Sequence, residues 1–165
     1  MQQNDREWAR SYARQALSDL DAREILARAG ANKCHRLHFL QMAAEKACKA
    51  HLIIANGHDK VRKSHAYVAK NLPILAKQFY SASTRPKQAA WQVSEVKRMA
   101  REIELLAPAC DHGDLRRDNT EYPWDDGSGR ICTPSEYSFP NLDDGSKEIV
   151  ALIRLIRTAS ESYSH

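Results

Sequence analysis

The sequence predicts an all-α protein, a four- to five-helix up-and-down bundle with a long irregular insert before the last helix. Three observations predict it. Apolar and small residues recur at three- and four-residue steps in successive segments, the period of a helix with one buried side. Hydrophobic content is 42% and charged content 28%, a globular rather than a disordered profile. Residues 111–147 lose the helical period and hold four of the six glycines and three of the six prolines, which marks a break before the last helix. The chain of 165 residues suffices for one domain with a real core, read here as 1–165.

The first helix is expected from about Asp5 to Ala29. Trp8, Tyr12, Ala16, Leu17, Leu20, Ile25 and Ala27 form its apolar stripe, Asp5 can cap it, and Gly30 stops it. Asp19 and Arg23, four apart, suit a surface pair. After a link at 31–36 comes the stretch around which the chain is organised, His38–Asn56. Its packing side is built from Leu37, Leu40, Ala44, Ala47, Cys48, Leu52 and Ala55, and small Ala43, Ala44 and Ala47 let backbones approach. Beside this runs a polar seam, His38, Gln41, Glu45 and Lys49 at helical steps, to be exposed or satisfied internally.

His58–Lys63 reads as a polar, basic loop. Ser64 is the expected cap of a third helix to about Phe79, kinked or split at Pro73. The fourth helix covers about Gln88–Leu106, with Ala89, Trp91 or Gln92, Val93, Val96, Met99, Ala100, Ile103 and Leu106 inward. The insert carries Tyr122, Trp124, Ile131, Tyr137, Phe139 and Leu142, which read as anchors of an ordered excursion across the bundle. Within it RICTPSEYSF suits a short extended pair. Asp143 or Asp144 is expected to cap the last helix. There Ile149, Val150, Leu152, Ile153, Leu155, Ile156 and Ala159 make more than half the girth apolar, so it belongs at the centre or against another subunit.

Net charge is +4, unevenly spread. Residues 1–110 hold 19 Lys and Arg against 10 Asp and Glu, a balance of +9; residues 111–147 hold 4 against 9, a balance of −5. A basic body with an acidic insert can steer a polyanion to one face, or form complementary contact surfaces. No apolar run reaches the roughly 20 residues of a membrane span, and MQQNDREW has no apolar signal core, so a cytoplasmic setting is expected. The four separated cysteines, none in a C-x-x-C pair, fit it. No cofactor and no metal are expected; Cys34, His35 and His38 match no strong ligand spacing. Gly127 and Gly129 sit in an acidic turn, DDGSG, not a phosphate loop.

Four matches in order resemble the HEPN domain family of higher-eukaryote and prokaryote nucleotide-binding domains, across roughly residues 6–160. They are ALSDLDAREIL at 16–26, and FLQMAAEKACKAHL at 39–52, which is similar to a Gln-x-x-x-Glu-Lys-x-x-Lys-Ala signature at Gln41, Glu45, Lys46, Lys49 and Ala50. Ser64–His65 stands where the family often has Thr-His, and Glu121–Tyr122–Pro123 resembles Arg-Tyr-Pro. The resemblance implies a helical bundle, commonly a homodimer, with roles in nucleotide binding, RNA cleavage, or partnership with a nucleotidyltransferase-like protein in toxin–antitoxin or defence systems. It also implies a structural role for Gln41, Glu45 and His65, with Glu45 and His65 paired. Ribonuclease members carry an Arg followed after four to six residues by a His near the last helix. Here Arg117 is followed by Tyr122 instead, Arg28–His35 lies between the first two helices, and Glu121 replaces the Arg of Arg-Tyr-Pro.

The local candidate is RRDNTEYPW, 116–124. Arg116 and Arg117 suit phosphates, Asn119 a base edge, and Tyr122 and Trp124 base stacking; Lys46 and Lys49 add charge. These define an expected nucleotide or RNA groove along the second and third helices. Were it to cleave RNA, a 2′-hydroxyl would attack the adjacent phosphate without metal. His65 would be the base, with Arg116 or Arg117 stabilising the charge. The rival expectation is a non-enzymatic dimeric module that holds a nucleotidyltransferase-like partner. In it Arg116 and Arg117 pair with neighbouring carboxylates.

Overall fold

The structure, a computed structural model, describes residues 3–61, 68–81, 86–108 and 118–164. It is all-α, as the periodicity predicts: α1 (Gln3–Arg28), α2 (Lys33–Asn56), the short α3 (His58–Val61), α4 (Val68–Tyr80), α5 (Pro86–Glu104) and α6 (Lys147–Ser164). Strands β1 (Trp124–Asp125) and β2 (Ile131–Cys132) form one small antiparallel pair, Trp124 opposite Cys132. No helix among the described residues is long and apolar enough to cross a membrane.

The centre is α2, which buries twelve of its residues and packs against α1, α4, α5 and α6. It begins at Lys33, before the expected link ends, so the connection from α1 is tight. Gly30 supplies the left-handed residue the turn needs, φ +68. Gly30 N–H reaches the Ala27 carbonyl and Ala31 N–H the Leu26 carbonyl, a Schellman closure of α1. Helices α1 and α2 pack together, and both enclose small residues: Ala9, Ala13 and Ala16 on α1, and Ala43, Ala44, Ala47 and Ala50 on α2, are all buried. Close backbone approach leaves large side chains to the flanks. Hence Trp8 and Ile25, expected in the stripe, are 40% and 61% exposed.

Asp5 does not cap α1. Its Oδ1 accepts the His58 backbone N–H at 3.1 Å, and Trp8 stacks on the His58 ring with centroids 3.9 Å apart. This fixes a helical turn, α3, where a loop is expected. Helix α4 runs through Pro73 without a break, burying Val68, Leu72, Leu75 and Ala76. The expected cap, Ser64, lies outside the described residues. In α5, Val96, Met99, Ala100 and Ile103 are inward, with Gln92 half-buried and Trp91 44% exposed. The sequence left Trp91 and Gln92 as alternatives; the helix is turned to Gln92.

The insert, from 118 onward, is ordered by Phe139 and Leu142, both fully buried in the main core. Trp124, Tyr137 and Phe139 form an edge-on ladder with centroids 5.1 and 5.0 Å apart. Tyr122 and Ile131, expected as anchors, are 62% and 66% exposed instead. Ile131 lies on a two-residue strand whose successive side chains point to opposite faces, and its neighbour Cys132 takes the inner one. The extended partner of Ile131–Cys132 is Trp124–Asp125, across the DDGSG turn. There the Asp125 carboxylate accepts Gly127 and Gly129 N–H.

Charges hold this segment down. Lys33 Nζ donates to the Ser138 and Phe139 carbonyls at 2.8 and 3.1 Å. Asp144 takes Arg23 of α1 and Arg36 of α2 together. It is therefore not the cap of α6; Ser146 Oγ accepts the Ile149 N–H at 3.2 Å and fills that role. Nor does Arg23 pair with Asp19, since the insert claims the arginine. Helix α6 is central, with Ile149, Leu152, Leu155, Ile156, Ala159 and Ser160 buried. Replacing the fully buried Phe139 by Ala should lower unfolding stability by about 3–5 kcal/mol, read as a fall in the urea midpoint.

Candidate functional site

Along α2, Gln41, Glu45 and Lys49 stand one above the other at helical spacing and are buried. Charges in such a place must be paired. Lys49 Nζ meets Glu45 Oε1 at 2.7 Å, Gln41 Nε2 donates to Glu45 Oε2 at 3.2 Å, and the Lys49 ammonium lies 5.8 Å from the centre of the Tyr12 ring. One turn aside, Lys46 Nζ binds Asp19 Oδ2 at 2.6 Å while Gln15 donates to the other Asp19 oxygen at 3.1 Å. Gln41 and Glu45 thus sit as internal polar groups. Lys46 and Lys49, the expected phosphate contacts, are each bound to a carboxylate of this chain.

The other wall is the insert. Glu121 Oε1 lies 3.6 Å from His38 Nδ1, one turn before Gln41 on α2. That nitrogen and Thr120 Oγ1 are buried without a hydrogen bond among the described residues. The buried Asn119 turns its oxygen to the backbone N–H groups of Glu121 and Tyr122 at 2.9 and 2.7 Å. It is an Asx turn that sets Glu121 and Tyr122, and its oxygen faces no base edge. Tyr122 projects outward, while Trp124 leans on Tyr137. His65, Arg116 and Arg117 lie outside the described residues, as does the expected Glu45–His65 pair.

The structure therefore brings the 119–122 turn to the N-terminal half of α2. It does so through His38 and Glu121, which were not among the expected site residues. The available signal was the departure at Glu121: an acid there needs a partner, and His38 was already on the polar seam. Cys34 is buried and His35 exposed, so the two do not converge. Among the described residues no three His, Cys, Asp or Glu side chains gather around one point. Cys48 is wholly enclosed; burial, aided by the Glu104 and Glu45 carboxylates, pushes its thiol far up and keeps it protonated.

No protein-family model matches the chain, and comparison with curated sequences and with solved structures found no match.

Two measurements follow from these charges. Lys49 and Glu45 side chains are 6% and 9% exposed. Lys49→Met strands a buried carboxylate and should cost about 3–5 kcal/mol in urea unfolding, with Glu45→Met in the same chain restoring most of it. His51 of α2 faces the Tyr163 hydroxyl of α6 at 2.9 Å, and burial holds its pKa below the ordinary 6.5. The unfolded chain then takes up a proton that the folded chain resists. This part of the stability is complete above the ordinary value and is lost as pH falls through it. The melting temperature should drop between about pH 7 and pH 5.5, and His51→Asn should flatten that drop.

Proposed function

We propose that the chain is a HEPN-like helical domain that binds a nucleotide or RNA as a homodimer in a toxin–antitoxin or defence-type system. The observation that carries this reading is the Tyr122 ring, 62% exposed and set by the Asn119 turn, one residue from the Glu121–His38 contact with α2. A planar face held open on a fixed turn is suited to stacking on a base. Further support comes from the +9 balance of residues 1–110. Gln41 and Glu45, for which the resemblance implies a structural polar role, are buried and bonded to each other.

Binding is favoured over cleavage. The chain lacks the family's Arg and His spacing before the last helix. An endoribonuclease reading rests on His65, Arg116 and Arg117 alone. A second reading, a module that docks a nucleotidyltransferase-like protein, is favoured by the hairpin, which presents exposed Ile131 beside the exposed carboxylates of Asp125 and Asp126.

Titration of a fluorescein-labelled short single-stranded RNA should give saturable, salt-sensitive anisotropy in the micromolar range. Tyr122→Ala should weaken it about tenfold, the scale of one lost base–aromatic stack. No change up to high micromolar wild-type protein would overturn the binding reading. Recovery of a nucleotidyltransferase-like protein with the tagged chain from its native host would then favour the second.

A further inference from the structure

The outward turn of Trp91 places an indole in line with a basic groove. Taking 100° per residue, Lys87, Trp91, Ser94, Lys97, Arg98, Arg101 and Leu105 fall within an arc of about 120° on α5. The last five line an open groove of about 610 Å³, with Asn141 of the insert as the opposite wall. Asn141 is held there because its neighbours in the turn, Phe139 and Leu142, are buried and joined by a 3.0 Å backbone bond. Phe139 adopts φ +46, a strained conformation for a residue with a side chain, fixed by its packing and by Lys33.

The groove is cationic. Lys97, Arg98 and Arg101 line it against one carboxylate, Glu102. Arg98 shares a carboxylate oxygen of Glu95 at 3.0 Å yet stays 54% exposed; Lys97 and Arg101 make no ion pair among the described residues. Trp91 lies about 10 Å along the helix from Arg98 and about 15 Å from Arg101.

Resting on the binding reading above, we infer that this face of α5 takes a single-stranded polynucleotide. One unpaired base stacks on Trp91, and the following phosphates lie against Arg98, Lys97 and Arg101 with Asn141 beside them. An open indole followed by a cationic groove is the pairing that single strands use. A duplex offers no base face to the indole, and an acidic peptide without aromatic side chains offers it no ring.

The test is anisotropy with a fluorescein-labelled 12-mer of oligo(rA) over a series of salt concentrations. Wild type should bind with a log–log salt slope near −2, about 0.7 for each of three neutralised phosphates. Trp91→Ala should weaken binding at least tenfold while Trp91→Phe keeps most of it. Lys97→Glu with Arg101→Glu should weaken it at least tenfold and remove roughly 1.4 from the slope. Arg10→Glu with Arg14→Glu, on the exposed arginine strip of α1, should bind as wild type. An unlabelled RNA duplex should not compete. All variants change exposed residues and should melt like the wild type. Binding by Trp91→Ala or by the α5 charge reversal equal to wild type would overturn this assignment and leave the binding reading standing. So would an equal loss in the α1 variant. No saturable binding by wild type would overturn both.

Discussion

The ion pair between Lys49 and Glu45, with Lys46 on Asp19 beside it, sets the terms for the rest of the molecule. Helix α2 is enclosed by four others, yet it carries two lysines and a glutamate on enclosed sides. Leaving any of them unpaired costs several kcal/mol, more than most single contacts contribute. Asp19 must therefore stand opposite Lys46, and Tyr12 opposite Lys49. A slip of one turn, about 5.4 Å, would part these groups and also drive the alanine faces of α1 and α2 out of register. Hydrophobic contact makes the two helices adhere; the charges choose which adhesion is native.

The same logic attaches the insert. Asp144 draws Arg23 and Arg36 from two helices to one carboxylate, and Lys33 closes on the carbonyls that follow Tyr137. With Phe139 seated in the core, residues 138–144 are fixed against α1 and α2 before α6 begins. Two consequences bear on function. The inner cations of α2 are spent on structure, while α5 and the first half of α1 are among the described elements that carry exposed positive charge. The insert also presents Tyr122 on one side and Asn141 on another, each held by a turn whose neighbours are buried or bonded.

Much of the architecture was legible because helical period and the Gly30 stop are local signals. The bundle, the irregular segment and the polar seam of α2 all follow from spacing, and the apolar girth of the last helix left it at the centre or against another subunit. The phase of a helix was harder to read. Trp91 and Gln92 are 100° apart, and the pattern around them admits either inward, so the exposed indole appeared only with the fold. Partner choice for charges was also hidden. Asp19 and Arg23 sit at ideal spacing for each other, yet both answer to residues far along the chain, because a buried partner outweighs a solvated neighbour. The meeting of His38 with Glu121 has no periodic signature at all. Of the candidate site, the α2 residues and the Tyr122 turn are placed; His65, Arg116 and Arg117 lie outside the described residues.

The central claim is that α2 is the element on which the others are assembled, held by its enclosed charges. Native-state hydrogen exchange resolved by NMR tests it most directly. Amides from Gln41 to Lys49 should exchange only through global unfolding, with the same free energy as the urea extrapolation. Exchange of those amides through local opening, faster than in the middle of α5, would contradict it.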